Sequence, residues 1–452
     1  MDKNIRICII GGGPAGLSAG MYLEQKGYEN YTILERNDRV GGKCWSPHFN
    51  GGRRYEMGAI MGCPTYYTVH DVEKFCGITH DGPPLLREYK NKEGKVIEPF
   101  NPKKNILKIP QLLKMKKQVK VIAQLLETKY KGYDLTGHRG VAQGRYIGFK
   151  NDGSLTPVEG VNENLKDLAL PFKEFCELNH VELIQNIWIA PFTAFGYGYF
   201  DELPAAYVLK YLDFATAMYF INGNLWTWKE GTQSIWEALN DHIKHPARLN
   251  SQITNIERKD GKVLVTVNGE VEEYDKLIVT APLQYLHEYC DVREDEQALF
   301  SKIDFERYDV CAVNTKPENL PRMSYYIFEN MVPERLGHMM VSYRRWNDDD
   351  TQPITTYILR KHKNSKEIPY EEGKKMALTD LASMGNPHTN IINEWSTYYC
   401  PHVFTEDYAN GWYDKVEDLQ GKYDTYYAGE VMSFGDMEET ATYSRELVER
   451  FF

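Results

Sequence analysis

The stretch that decides the fold is Ile5-Arg6-Ile7-Cys8-Ile9-Ile10-Gly11-Gly12-Gly13-Pro14-Ala15-Gly16, followed by Leu17 to Lys26, a stop at Gly27, and Tyr31-Thr32-Ile33-Leu34-Glu35. A β-branched run, a glycine turn, a helical segment and a second strand in that order form a βαβ unit. The parts of a dinucleotide site are in register within it. Gly11 permits the tight turn, Gly13 lets backbone N–H groups approach a pyrophosphate, and Gly16 lets helix and strand pack closely. The helix N-terminus adds positive dipole. Glu35 follows Gly11 by 24 residues, close to the ~20-residue spacing of an acid that accepts hydrogen bonds from a ribose 2′-OH. That preference suits NAD or the adenosine half of FAD and disfavours NADP.

The whole-chain numbers narrow the class further. At ~150 residues per domain, 452 residues predict about three domain-sized units, enough to enclose a large buried pocket. The net charge of −11 argues against nucleic acid as a partner. Mean hydropathy is −0.53, and no run of about 18 apolar residues exists to span a membrane. Tyr, at 32, outnumbers Phe and Trp together, and rings with polar tips suit walls that bury and orient a ligand. Cys8, Cys44, Cys63, Cys76, Cys176, Cys290, Cys311 and Cys400 are scattered without C-x-x-C spacing. They read as reduced thiols, with neither a disulfide frame nor a metal site. Glycines interrupt the first apolar stretch at once, so no signal peptide is expected and a soluble, cytoplasmic protein is the default.

Further segments extend the pattern. Arg39-Val40-Gly41-Gly42-Lys43-Cys44 follows the second strand, then Arg53 to Gly62. Tyr423 to Ala428 reads as a strand leading to Gly429-Glu430, with a terminal helix from Glu438 to Phe452. In the middle, Trp226 to Gln233 precedes a helix from Ser234 to Ile243. Then come Ile253 to Ile256, a Lys259-Asp260-Gly261-Lys262 turn, Val263 to Val267, and Lys276 to Pro282. Leu112, Met115, Val119, Ile122 and Leu126 recur at helical spacing and predict an amphipathic helix over Gln111 to Tyr130. Its polar side is basic: Lys103 to Lys131 holds nine Lys and one Glu. A solvated cap face is the plainer reading, and contact with an anionic membrane near residues 111–130 the sharper one. His138 to Leu165 has no period and reads as a loop or lid.

Taken together, the two glycine motifs and the late Ala428-Gly429-Glu430 segment resemble the flavin-containing amine oxidoreductase superfamily. Within it, Tyr31 to Arg36, Arg53 to Gly62, Pro191 to Gly198, Pro204 to Phe214, Pro333 to His338, Gly429-Glu430 and Met432 to Gly435 resemble the bacterial polyunsaturated fatty acid isomerases. Most of Arg139 to Gly160 looks inserted relative to them. The resemblance implies an α/β fold with three parts. Residues 1–75, 224–290 and 405–452 would form a discontinuous Rossmann-like FAD-binding domain. Residues 76–100 and 291–404 would form a mixed-sheet substrate domain, and 101–223 a helical cap.

It also implies non-covalent FAD, held by Gly11, Gly13, Gly16, Glu35, Arg36, Gly42, Lys43, Ala59, Ile60, Trp226, Ile253, Gly429, Glu430 and Phe434. Phe195 and Phe220 would flank the diene and gate its channel. Arg87 would meet the carboxylate through a bidentate fork, and Tyr197 would touch substrate. The plainer alternatives are a core role for both phenylalanines and a surface pairing of Arg87 with Glu88. The implied reaction moves a double bond to give a conjugated diene. Hydride passes to flavin N5 and returns to another carbon, and aromatic faces contribute about 0.5 to 2 kcal/mol each to a desolvated cation. No acid, base or metal is needed. Glu56 reads as a structural residue beneath the flavin, and Tyr426-Tyr427 as no amine cage. The competing functions are a flavin amine oxidase or other oxidoreductase, and a non-catalytic flavin and lipid binder.

Overall fold

The computed structural model describes residues 2–98, 109–130, 146–149, 155–157, 165–315, 324–346, 348–349 and 351–452. The opening βαβ unit forms as its sequence dictates. Strand Ile7–Ile10 is fully buried and pairs in parallel with Tyr31–Leu34 on one side and Lys276–Val279 on the other. Thr425–Tyr427 completes a four-stranded parallel sheet from the far end of the chain. Parallel strands must be covered on both faces. Helix Pro14–Gln25, started by Pro at its first turn, packs beside the terminal helix Met437–Phe451. Glycine at position 16 lets the helix lie close on the turn that precedes it, since a Cβ there would sit 1.9 Å from the Gly11 carbonyl oxygen.

A three-stranded meander, Ile253–Lys259, Lys262–Val267 and Glu270–Tyr274, is inserted before Lys276–Val279. Asp260-Gly261 and Asn268-Gly269 turn it with positive φ at both central residues. Its third strand lacks an apolar signature because Glu270, Val271 and Glu273 face solvent. The expected Tyr423 to Ala428 strand is shorter, since Tyr423 and Asp424 adopt left-handed φ of 53° and 55° before Thr425 enters the sheet.

The second layer is a seven-stranded mixed sheet in the order His388–His402, Asp304–Thr315, Ile354–Leu359, Val341–Tyr343, Ser324–Ile327, Arg87–Lys90 and Val96–Ile97. Arg87–Lys90 pairs in parallel with Ser324–Ile327, so a short early segment is built into a sheet made mainly of much later chain. Short helices follow one another between Leu165 and Asn222, and the Ala205–Tyr211 helix is buried along its whole length.

The basic amphipathic helix runs Ile109–Glu127, two residues earlier than the pattern suggested because Pro110 fits the first turn. Gln118, Ile122 and Leu126 are buried, and Gln118 accepts from Leu183 N at 2.7 Å. Lys114, Lys116, Lys117 and Lys120 are exposed. Lys103, Lys104, Lys108 and Lys131 lie outside the described residues. So does most of the apparent insertion, apart from strands Tyr146–Phe149 and Leu155–Pro157, which pair antiparallel. All eight cysteines are free and buried. No described helix is long and apolar enough to cross a membrane.

Candidate active site

Three loops from distant parts of the chain converge at the head of helix Pro14–Gln25. In the first, Gly12 N donates to Glu35 Oε2 at 2.7 Å, and the other carboxylate oxygen accepts from Asn37 N at 2.9 Å. Glu35 is 5% exposed, held against the glycine turn as a ribose-binding acid should be. The second loop is tied to the first by Gly41 N donating to Gly12 O at 2.9 Å. Gly42 has φ 54°, and a Cβ there would lie a tight 3.2 Å from Gly13 Cα, so glycine at position 42 suits the close approach of the two loops. The third arrives from the C-terminal strand. Gly429, with φ 88°, passes so near Thr280 that a Cβ would be 2.6 Å from its carbonyl oxygen. Lys43 and Glu430 form an ion pair across the second and third loops, and Glu430 Oε1 accepts from Cys400 N at 3.1 Å.

The cradle therefore unites Gly11, Gly13, Gly16, Glu35, Gly42, Lys43, Gly429 and Glu430. Its donors and its tight glycine contacts fit a dinucleotide. The other expected cofactor residues are placed differently. Arg36 is exposed, Ile253 half-buried at the start of the meander, Ile60 buried and Ala59 half-buried. Ala59 O accepts from Thr232 Oγ1 at 2.9 Å. The Trp226 indole stacks on His80 at 4.2 Å, and Phe434 stacks on Tyr207 at 4.0 Å inside the core. Both rings are thus engaged by protein side chains.

A buried ion pair underlies this cradle. Glu56 is 1% exposed; it accepts from Arg345 Nη1 at 2.6 Å, from Ser46 Oγ at 2.5 Å and from Thr232 N at 3.1 Å. Arg345 also donates to the Trp228 carbonyl and to Lys229 O at 2.9 Å. The pair joins the Ser46 to Ala59 segment, the Trp228 to Thr232 segment and the end of strand Val341–Tyr343. Burial pushes the Glu56 carboxyl above its ordinary value, opposed by Arg345 and the Ser46 and Thr232 hydrogen bonds. Sequence reading found Glu56 but missed Arg345, which stands in Tyr343-Arg344-Arg345-Trp346 without motif or period.

A cavity of about 760 Å³ is lined among others by Leu85, Arg87, Met115, Pro191, Phe220 and Tyr326. That volume is in the range of small-molecule sites. Arg87 is its one cation and Glu98 its one anion among the described lining residues. Arg87 Nη2 donates to the Phe220 carbonyl, and Arg87 forms no ion pair among the described residues, with Glu88 or any other acid.

Phe220 is 5% exposed at the cavity wall. Phe195 stands beside it with ring centroids 6.0 Å apart and lies 6.1 Å from Tyr326, half-buried and outside the described lining. Tyr197 is set apart: it is 2% exposed, against Tyr211 at 4.1 Å and Tyr399 at 5.6 Å. Tyr308 donates to Ala194 O at 2.9 Å and stacks on Tyr399 at 5.1 Å, and Lys43 lies 5.0 Å from the Tyr399 ring. Two aromatic groups thus lie in this region, Phe195 with Phe220 and Tyr326, and Tyr308 with Tyr399 beside Lys43. Tyr426 packs on Phe451 and Phe452, and Tyr427 hydrogen-bonds Glu296, so neither builds an amine cage.

A dinucleotide cradle on a parallel sheet, with a second, mixed sheet whose Arg87, Tyr89 and Tyr326 line a cavity, defines a flavoprotein oxidoreductase architecture. The model of the flavin containing amine oxidoreductase family matches residues 14–432, and the chain belongs to that family. Among solved structures, the CLA-producing fatty acid isomerase from P. acnes is 47% identical, with TM-score 0.90 and all of both chains covered. The polyenoic fatty acid isomerase of Ptilota filicina is 20% identical over 467 residues, covering 94% of this chain and 90% of that protein. Cyclohexylamine oxidase from Brevibacterium oxydans, 15% identical with TM-score 0.64 over 99% of this chain and 98% of that one, shares the fold.

Proposed function

We propose that this protein is an FAD-dependent, redox-neutral isomerase of polyunsaturated fatty acids, shifting a double bond to give a conjugated diene. The observation that carries the proposal is the cavity itself: a large space walled by Leu85, Met115, Pro191, Phe220 and Tyr326, with Arg87 as its one cation among the described residues. The 47% identity to a fatty acid isomerase supports the same reading.

When bound, non-covalent FAD supplies a reversible two-electron hydride acceptor. The residues proposed to hold it are Gly11, Gly13, Gly16, Glu35, Gly42, Lys43, Gly429 and Glu430, with Arg36, Ala59, Ile60, Trp226, Ile253 and Phe434 completing its surroundings. Each buried thiol is held in its protonated form by desolvation, as with Cys44, pushed up to about 12. Arg87 anchors the carboxylate and so sets which carbon of the chain reaches the reaction centre. Phe195 and Phe220 offer ring faces to positive charge that develops on the diene. Tyr197, packed against Tyr211 and Tyr399, is proposed to touch substrate. The closely packed aromatic walls keep out the water that would trap such a cation. No proton moves, which is consistent with Glu56 being consumed by its structural ion pair.

The test is an anaerobic incubation of purified protein with linoleate, followed by amines in air. The expected result is conjugated-diene absorbance without consumption of any acceptor. Peroxide production from amines would instead establish an oxidase, and absence of both products a binding protein.

The same reading extends to how substrate arrives. Met115 faces the cavity, while Lys114, Lys116, Lys117 and Lys120 are exposed on the same helix, with Leu113 64% and Val121 39% exposed among them. Lys129 is excluded because it pairs with Asp167. A basic face with apolar side chains suits an anionic membrane, at ~1 kcal/mol per lysine near the surface. Changing these four lysines to Gln is expected to reduce co-flotation with anionic vesicles at least tenfold. Equal partitioning of variant and parent would remove the membrane assignment.

A further inference from the structure

Away from the described cavity, three metal-binding side chains come together at helix Tyr67–Cys76 and the loop after it. His70 and Glu73 are three residues apart on helix Tyr67–Cys76, so they share one face. The helix ends at Gly77 with φ 67°, and the reversal brings His80 over the same carboxylate. His70 Nδ1 lies 2.7 Å from Glu73 Oε2, and His80 Nδ1 lies 3.2 and 3.3 Å from the two carboxylate oxygens. All three donor groups fall within 4.8 Å of one another. Ligands of a tetrahedral Zn²⁺ at its usual bond lengths stand about 3.4 Å apart, so little movement would be needed to take one up.

Two features separate this cluster from an ordinary hydrogen-bonded trio. First, Glu73 is 4% exposed, and among the described residues its only ionisable partners are the two imidazoles. A buried carboxylate with no Lys or Arg beside it leaves room for a cation. Second, its outer surroundings are built. Trp228 Nε1 donates to Glu73 Oε1 at 2.6 Å, fixing the carboxylate, and the Trp226 ring stacks on His80 at 4.2 Å and lies 5.3 Å from His70. The His70 and His80 side chains remain 32% and 38% exposed, which leaves an entry path and a fourth position for water.

We infer that His70, Glu73 and His80 form a binding site for a borderline divalent transition ion of the Zn²⁺ class, one that clips helix Tyr67–Cys76 and the His80 loop to the Trp226 to Trp228 segment. Two imidazoles and one carboxylate favour such an ion over Mg²⁺, which prefers six oxygens. None of the three side chains lines the described cavity, and the site is argued from its own donor groups, so it stands whether or not the proposed chemistry is an isomerisation.

The experiment is calorimetric titration of chelator-treated holoprotein with ZnCl₂ alone, beside MgCl₂, with thermal unfolding as a second readout. Parent protein should bind one Zn²⁺ with micromolar or tighter affinity and unfold at higher temperature with Zn²⁺ present. His70→Gln and His80→Gln, at half-exposed positions, should each weaken binding at least tenfold and abolish the thermal shift while leaving flavin absorbance unchanged. Failure of the parent to bind Zn²⁺, or binding untouched by either substitution, would overturn the site.

Discussion

Replacing Arg345 with Met is expected to destabilise the protein by about 3–5 kcal/mol, the usual consequence of leaving one member of a buried ion pair without its partner. Glu56 has no other cation among the described residues, and Arg345 additionally ties down the Trp228 and Lys229 carbonyls. The loss should depend on pH in a defined direction. Burial already raises the folded-state pKa of Glu56, and removing Arg345 removes the largest force opposing that rise. In the variant the native state then holds a proton that the unfolded state releases near its ordinary value of 4.5. Stability falls with pH wherever the native state binds more protons. The deficit relative to the parent should therefore be smaller at about pH 5 and grow toward about pH 7.5. Urea unfolding at the two pH values measures it, and a small, pH-independent deficit would show that Glu56 is served by Ser46 and Thr232 alone. Flavin retention should drop in parallel, because the pair joins two segments next to the cradle.

Arg87→Gln is expected to raise KM for a free fatty acid by about 10- to 100-fold, corresponding to about 1.5–3 kcal/mol for hydrogen bonds to a charged group. Methyl esters of the same chains should be nearly unaffected, since they present no charge to the guanidinium. The effect should fall mainly on KM, as expected for an anchor used equally in ground and transition states. Arg87→Lys should recover part of it, keeping the charge and losing the fork. Equal losses for acid and ester would mean that Arg87 acts by packing against Phe220, whose carbonyl it already holds, and the carboxylate would have to be met elsewhere.

The parts of the molecule that could be read in advance are those specified by neighbouring residues. The turn from Ile10 to Gly16, the helix after it and the acid at Glu35 lie within one short segment, where spacing and backbone sterics determine geometry. The Gly41-Gly42 and Gly429-Glu430 segments were recognisable by resemblance, and the structure brings them to the same loop. Helix Ile109–Glu127 was legible because its apolar residues repeat at the helical period. The third meander strand was not, because its solvent-facing glutamates mask the alternation. Trp226 and Phe434 were expected at the cofactor by resemblance, and the stacking of their rings on His80 and Tyr207 is a contact that no local pattern encodes. Tyr197 was expected at substrate from the same resemblance, and its packing against Tyr211 and Tyr399 is likewise set only by the fold.

By itself, then, the sequence determined the βαβ unit, the chemistry its glycine turn can accept and the assignment of the chain to a flavin family, because those depend on short-range order and on motifs that survive as motifs. Only the tertiary structure decided which charges meet. The Glu56–Arg345 pair spans 289 residues, the cavity combines Arg87 with Phe220 and Tyr326 from three separate regions, and the His70, Glu73 and His80 cluster exists only because the chain reverses at Gly77. Such encounters arise from packing of whole elements, and a buried charge reveals its partner only when the fold has removed water from both.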